Sequence, residues 1–501
     1  MFTTQIAQAR LTWSTVRVSR EIWVVGSVFI VAILSRFVML GMNPGFEWDE
    51  PVYTYVAGNL ATNGLMEAKT EFYRTASEPY LYHPPFYFGL LAGWFQLFGV
   101  GIAQARVLAS IGSIVMLAVL YILLREILGW KWAVATIALL SIDGWLVFTN
   151  RVSWIENTMM PIGVVALLLY YRFVLKAPEP SGRREKLLLQ AGLIGTGLLF
   201  GAVTVYKHVG VYFFLALLVC WLVTRIFHKR HLTVLYSFSG VIVVYVILMV
   251  AYFRENFIDQ VATQVRRSFG TQESRGALTS IGDVLGPLTS QYAIYWSSVV
   301  LVATAVVLLV IRAISIIRKK STLTAGEALL FSWAAGSVIF FIVLQLKIPH
   351  YFLMLEIPLF CYLMLEVQRY AQRKRGSRNL KTVAVVIASV LVIANAFALT
   401  MRLGVLDSNP LQQTAEWTAK HLPADATVIS EESVGLAIQQ PYCKIAFARN
   451  CPDVEYIITY TSATQKVPDT RSVEVMLENA TLLQSFSGFK EEIRIYRIDA
   501  N

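Results

Sequence analysis

Charge is what this 501-residue sequence has least of: 15% of its residues are Asp, Glu, Lys or Arg, against 56% hydrophobic ones. Soluble domains carry about a quarter charged residues, so an ordinary water-soluble protein is excluded and much of the chain must lie in lipid. Histidines number six and cysteines four, and no Cys/His cluster has the spacing of a metal site. The sequence shows no Gly-rich phosphate loop and no convincing internal repeat.

What is present is a series of apolar runs, each of about 18 residues or more and long enough to cross a ~30 Å hydrocarbon core. The net charge of +11 comes from short basic clusters between those runs. They are Arg17/Arg20, Arg183/Arg184/Lys186, His228/Lys229/Arg230, Arg318/Lys319/Lys320 and Arg373/Lys374/Arg375/Arg378/Lys381. That distribution is the positive-inside pattern and argues against a nucleic-acid partner. The first run, Ile22 to Leu40, follows Arg10, Arg17 and Arg20 and lacks a small-residue cleavage pattern, so it reads as a retained anchor. Residues 1–20 mix apolar residues with arginines, as a helix on the cytoplasmic surface would.

The expected fold is a polytopic α-helical membrane protein of about eleven spans with a small extracytoplasmic α/β domain at its C-terminus. The spans fall near 22–40, 107–124, 132–148, 158–174, 188–206, 210–224, 233–252, 294–312, 325–345, 351–367 and 382–401. Two external loops stand out, 41–105 and 253–292. The first holds two interfacial helices, one from Pro51 to Asn63-Gly64 and one following His83-Pro84-Pro85. With the N-terminus cytoplasmic, an odd count puts the C-terminus outside, in a cell (inner) membrane. The domains are therefore 1–403 and 404–501. In the second, short β-type runs at 426–429, 454–460 and 493–498 accompany a helix-like 412–421, and Asn479-Ala480-Thr481 is an acceptor sequon. Cys443 and Cys451 could close a disulfide there if the segment is extracytoplasmic, whereas Cys220 and Cys361 fall in apolar runs as small hydrophobes.

This topology collects polar residues at the outer boundary: Asp49 and Glu50, His83, Arg151 and Glu156, Lys207 and His208, Lys347, His350 and Tyr351. Each has a plain alternative. Pro51 suits a first helical turn, where acidic residues favour the positive helix end, and Arg151, Lys207 and Lys347 could snorkel to the interface. Their convergence on one face points instead to an anionic substrate. Sugar transfer from a lipid-linked phosphate uses such a set: cations stabilise the charge growing on the phosphate, and a carboxylate accepts the proton of the attacking hydroxyl. Cationic side chains could serve a monophosphate leaving group without a divalent metal.

At these residues the sequence resembles the GT-C class of membrane glycosyltransferases, in particular the group containing the protein O-mannosyltransferases and the lipid A aminoarabinose transferase. The resemblance is carried by Asp49-Glu50 with Tyr53, by His83-Pro84-Pro85-Phe86-Tyr87, by Phe98-Gly99-Val100 and Ala105-Arg106, by Arg151 with Glu156, by Lys207, and by Lys347 to Tyr351. It implies Asp49 as catalytic base and Glu50 orienting donor or acceptor. Arg151 and Lys207, with Lys347 or His350, would bind the donor phosphate, and Tyr53, His83, Glu156 and Tyr351 would contact substrate. The donor is then a polyprenyl-phosphate-linked sugar, and the acceptor a glycan, lipid or protein. No cofactor is expected; some relatives bind a metal, which here would fall to Glu50, His83 and His350. His83 is a departure, since the family often has Lys there. The alternative is a transporter or flippase of a lipid-linked or anionic substrate, but such proteins usually show duplicated halves and mid-membrane charges.

Overall fold

A computed structural model of the chain describes residues 20–38, 40, 49–69, 77–80, 83–224, 229–253, 258, 296–318, 323–344, 351–373, 390, 393–398, 400, 410–445, 451, 453–462, 471–488 and 491–499. The N-terminal segment 1–19, nearly all of the 253–292 loop and the boundary near 404 lie outside the described residues.

The membrane part runs up and down between two ends of a bundle. α1 is Arg20–Phe37, α2 Asp49–Asn63, α3 Pro85–Phe98, α4 Ile102–Leu128, α5 Trp130–Ile142, α6 Gly144–Arg151 and α7 Ile155–Tyr170, which widens into a π-helical turn to Lys176. α8 is Arg183–Tyr206, α9 Val211–Thr224, α10 Lys229–Phe253, α11 Trp296–Ile317, α12 Ala325–Val343 and α13 Phe352–Arg373. A two-stranded hairpin, β1 Glu67–Lys69 and β2 Ser77–Pro79, lies between α2 and α3. Among the described residues, six helices are long and apolar enough to cross a membrane, seven if α5 and α6 count as one broken span. α1, α9 and α13 occupy expected spans but are shorter or carry charge, α1 through Arg20, Glu21 and Arg36. Only 390, 393–398 and 400 of the expected last span are described.

Two expectations need correction. α2 begins at Asp49 rather than Pro51, so Asp49 is inside the first turn and not a step before it. The 132–148 run is also not one helix, because α5 and α6 meet at 66°. Asp143 causes the break: its Oδ1 accepts from Leu146 N at 3.0 Å and starts a new helix.

Glycine matters at two places. Gly129 at φ 82° lets α4 reverse into α5 through a backbone conformation that a Cβ would strain. A Cβ on Gly112 would lie 2.6 Å from the Asn157 carbonyl oxygen, so its absence lets α4 pack against the start of α7, where the polar residues gather.

The C-terminal part holds a five-stranded sheet in the order β4-β3-β5-β7-β6, with β3 Val428–Ser430, β4 Tyr442–Lys444, β5 Tyr456–Ser462, β6 Ala480–Gly488 and β7 Glu491–Ile498. β3 pairs in parallel with β4 and β5, and β7 runs antiparallel to β5 and β6. Alternation along the strands divides two cores. Val428, Ile458 and Ile495 pack with Leu411 of α14 (Pro410–His421) and Val434 of α15 (Glu432–Ala437). Ile429 and Ile457 pack with Val473 of α16 (Arg471–Glu478) on the other face. The structure joins Cys443 to Cys451. α15 rests against α2, so this sheet covers the end of the bundle that carries Asp49.

Candidate active site

The first turn of α2 faces two ways. Asp49 and Tyr53, four residues apart, share one side, while Glu50 turns into the protein and is fully buried. Glu50 Oε1 accepts from Arg106 Nε at 2.9 Å and from the Ser153 backbone N–H at 2.8 Å; its Oε2 accepts from Arg106 Nη2 at 2.6 Å. Arg106 Nη1 also donates to the Leu40 carbonyl oxygen at 3.3 Å. One carboxylate thus ties α2 to α4 and to the turn before α7.

Tyr53 is buried among the edges of Tyr87, Phe88 and His83, and its hydroxyl shares a 3.2 Å hydrogen bond with His83 Nε2. The Tyr87 hydroxyl donates to the Ser153 carbonyl oxygen at 2.8 Å, which brings the His83-Pro84-Pro85 entry of α3 to the same turn.

Lys207 closes α8, in extended backbone before the single 3-10 turn His208–Gly210. Its ammonium is buried and donates to Glu156 Oε1 at 2.5 Å; the Tyr351 ring lies 5.2 Å away. Asp49 is half-buried and next to these groups. Burial pushes its carboxyl above the usual range; Lys207 opposes that shift, and the nearby Glu156 adds to it. Asp49, Tyr53, His83, Glu156, Lys207 and Tyr351 therefore form one connected group drawn from five separate stretches of chain.

Arg151 lies to one side of it. At the end of α6 it donates to the Ser35 carbonyl oxygen at 2.9 Å and neighbours Arg36. Lys347 and His350 lie outside the described residues. An apolar groove of about 510 Å³ opens between α3, α8 and α10, lined by Pro85, Phe86, Leu198, Val205, Val244 and Tyr245. Pro85 and Val205 stand two residues from His83 and Lys207, so the groove lining comes within two residues of the polar group on both α3 and α8.

Of the residues named for a metal, Glu50 has both oxygens bonded to Arg106 or Ser153 and His83 is bonded to Tyr53, while His350 lies outside the described residues.

Residues 82–253 match the family profile described as dolichyl-phosphate-mannose-protein mannosyltransferase. ArnT from Cupriavidus metallidurans, bound to undecaprenyl phosphate, superposes with a TM-score of 0.61 at 14% identity, over 95% of this chain and 97% of that one. The archaeal oligosaccharyltransferase AglB from Archaeoglobus fulgidus, in complex with an inhibitory peptide and a dolichol-phosphate, superposes with a TM-score of 0.57 at 13% identity, over 89% and 70%. The fold is that of the GT-C glycosyltransferases. A search of the curated proteins finds no match. Within this GT-C fold the family match spans α3 to α10, the stretch that holds His83, Arg151, Glu156 and Lys207, and Asp49 lies ahead of it.

Four buried charges have no assigned role in the reading from sequence: Arg36, Arg106, Asp143 and Glu356. Each falls within a run of apolar residues, where an ionisable group requires a partner inside the protein. That signal was available, but it does not say which run supplies the partner.

Proposed function

We propose that this protein is an inverting glycosyltransferase that moves a hexosyl or pentosyl group from a polyprenyl-phosphate donor to an acceptor on the extracytoplasmic face of the cell (inner) membrane. The observation that carries this reading is a half-buried carboxylate, Asp49, beside a buried ammonium, Lys207, two residues from the lining of an apolar groove. An isoprenoid tail in that groove would bring its phosphate to Lys207, held on one side by Glu156 and on the other by Tyr351.

The acceptor hydroxyl attacks the anomeric carbon while Asp49 takes its proton. The bond from that carbon to the phosphate oxygen breaks, and its electron pair stays on the phosphate. One displacement inverts the carbon. Charge grows on the leaving phosphate, and fixed cations there lower the barrier. Lys207 and Arg151, with Lys347 and His350, are the assigned phosphate ligands; Tyr53 and His83 line the sugar side. Glu50 acts by orientation, since its bonds to Arg106 and Ser153 hold the turn that carries Asp49. The reading uses no metal. Eleven spans, a cytoplasmic N-terminus and an external 404–501 domain facing a glycan, lipid or protein acceptor complete it.

The test is to incubate purified protein with a panel of polyprenyl-phosphate sugars and follow release of the free lipid phosphate. Release from at least one donor is expected, with loss in Asp49→Asn. Near-normal turnover by that variant would remove the base assignment, and accumulation of a substrate in sealed vesicles without glycosylated product would favour a transporter.

A further inference from the structure

The break between α5 and α6 falls about 20 Å along from the start of α5, at 1.5 Å per residue. A break within a bilayer leaves carbonyls at the end of one helix and N–H groups at the start of the next, and each needs a partner in the protein. Three side chains provide these. Arg36 donates to the carbonyl oxygens of Ser141 and Leu140, both at 3.3 Å. Asp143 Oδ1 accepts from Leu146 N, and Asn395 Oδ1 accepts from Gly144 N at 3.0 Å. None of these bonds uses Glu356.

Glu356 is nevertheless there, fully buried one turn into α13, with its carboxyl facing that of Asp143. Neither of its oxygens meets a conventional donor among the described residues. The nearest hydroxyl, Ser298, gives its proton to Asp143 Oδ2 at 2.7 Å, and a hydroxyl has only one to give. Asp143 already accepts from Leu146 N and Ser298 and has the Arg36 guanidinium beside it, so Glu356, out of water and with no donor of its own among the described residues, can bond to it only by giving a proton.

We propose that Asp143 and Glu356 are positioning residues: sharing one proton, they latch α6, which ends at Arg151, to α13, whose preceding residue Tyr351 lies against Lys207. The latch fixes the spacing between Arg151 and Lys207. From it a buried network continues toward the site: Arg36 donates to Asn150 Oδ1 at 3.1 and 3.0 Å, and Asn150 Nδ2 donates to Asn157 Oδ1 at 2.8 Å. This inference rests on Arg151 and Lys207 being the phosphate ligands.

Glu356→Gln keeps the charge of the pair and a donor toward Asp143, whereas Glu356→Ala removes the donor. With the purified full chain, the Gln variant should stay within about threefold of wild type in kcat and donor KM, because one hydrogen bond replaces another. The Ala variant should raise donor KM about tenfold or more with kcat changed far less, a split that general loss of folded protein does not produce. The infrared spectrum of wild type minus Glu356→Gln should show the C=O stretch of a protonated carboxyl at neutral pH. Absence of that band, or a Gln variant as damaged as the Ala one, overturns the latch. If the Ala variant does not fold, the band and the Gln variant decide alone. The band with no release from any polyprenyl-phosphate sugar would uphold the proton-sharing pair and reject the transferase reading.

Discussion

Glu50–Arg106 and Glu156–Lys207 are both carboxylate–cation pairs withdrawn from water at the same end of the bundle, yet their bonding is unequal. Three hydrogen bonds reach the Glu50 oxygens, and Arg106 uses three of its nitrogens within the protein. Lys207 has three donors; among the described residues Glu156 accepts from it, with the Tyr351 ring 5.2 Å away and Asp49 beside it. A saturated buried pair holds structure, and breaking it leaves a stranded charge. A pair with fewer bonds, beside a half-buried acid and near an apolar groove, can bind an anion that arrives later. On the proposed function, Arg106 then serves folding and Lys207 serves the donor phosphate.

The largest effect belongs to the acid between the two pairs. Asp49→Asn should cut transfer about a thousandfold, within the range for loss of a general base, while melting temperature and donor binding change little. Lys207→Ala should lower kcat/KM by roughly a hundredfold, as for loss of one charge-stabilising donor. Lys207→Arg should not restore it, because a planar guanidinium does not fit where a compact ammonium meets Glu156 and Tyr351. Turnover by Lys207→Ala close to wild type would erase the difference between the pairs.

Arg106→Ala probes the other side. It should destabilise the protein by about 3–5 kcal/mol through the uncompensated Glu50 carboxylate, seen as a lower melting temperature and yield. Protein that does fold should retain donor KM within about threefold, since no group with spare donors is lost. A large KM change with normal stability would move Arg106 to the phosphate.

How much of this could be read from the sequence depends on the kind of interaction. Spans were legible because lipid imposes long apolar runs, and α4, α7, α8 and α10 to α12 fall where those runs predict. Asp49, His83, Glu156, Lys207 and Tyr351 could be named because polar groups at span ends are conspicuous, and Tyr53 only through the family resemblance. Partner choice was not legible: nothing local to Glu50 says that it bonds Arg106, 56 positions later, rather than presenting itself to substrate. The α5–α6 break was hidden as well, because a single Asp143 in an apolar run looks like an isolated charge until Asn395 and Arg36 arrive from other helices.

The pH profile distinguishes the pairs by the field each exerts on Asp49. A base works only when deprotonated, so kcat/KM should fall as pH drops through the Asp49 pKa. Burial raises that pKa, so the acid limb should lie above the ordinary carboxylate value of about 4. Lys207 holds the pKa down and Glu50 is among the groups that push it up. Residual activity of Lys207→Ala should therefore show its limb at still higher pH, and Glu50→Gln a smaller shift downward. Equal and opposite shifts would mean that Arg106 does not neutralise Glu50 at Asp49.

The smallest effect is expected far from both pairs. The Cys443–Cys451 bridge closes a loop of sequence separation 8 beside the β4–β3 edge of the C-terminal sheet. Loop-closure entropy values such a link at ~2–3 kcal/mol. Replacing both cysteines by serine should lower the unfolding temperature of that sheet while leaving transfer within about twofold, since additivity holds for groups with no shared partners. The control is not trivial, because α15 of the same domain rests on α2, the helix that begins at Asp49. If transfer falls tenfold in the reduced or serine form while donor KM is unchanged, the sheet acts through α2 or through the acceptor. The division between a structural and a chemical pair would then need the domain above them as a third member.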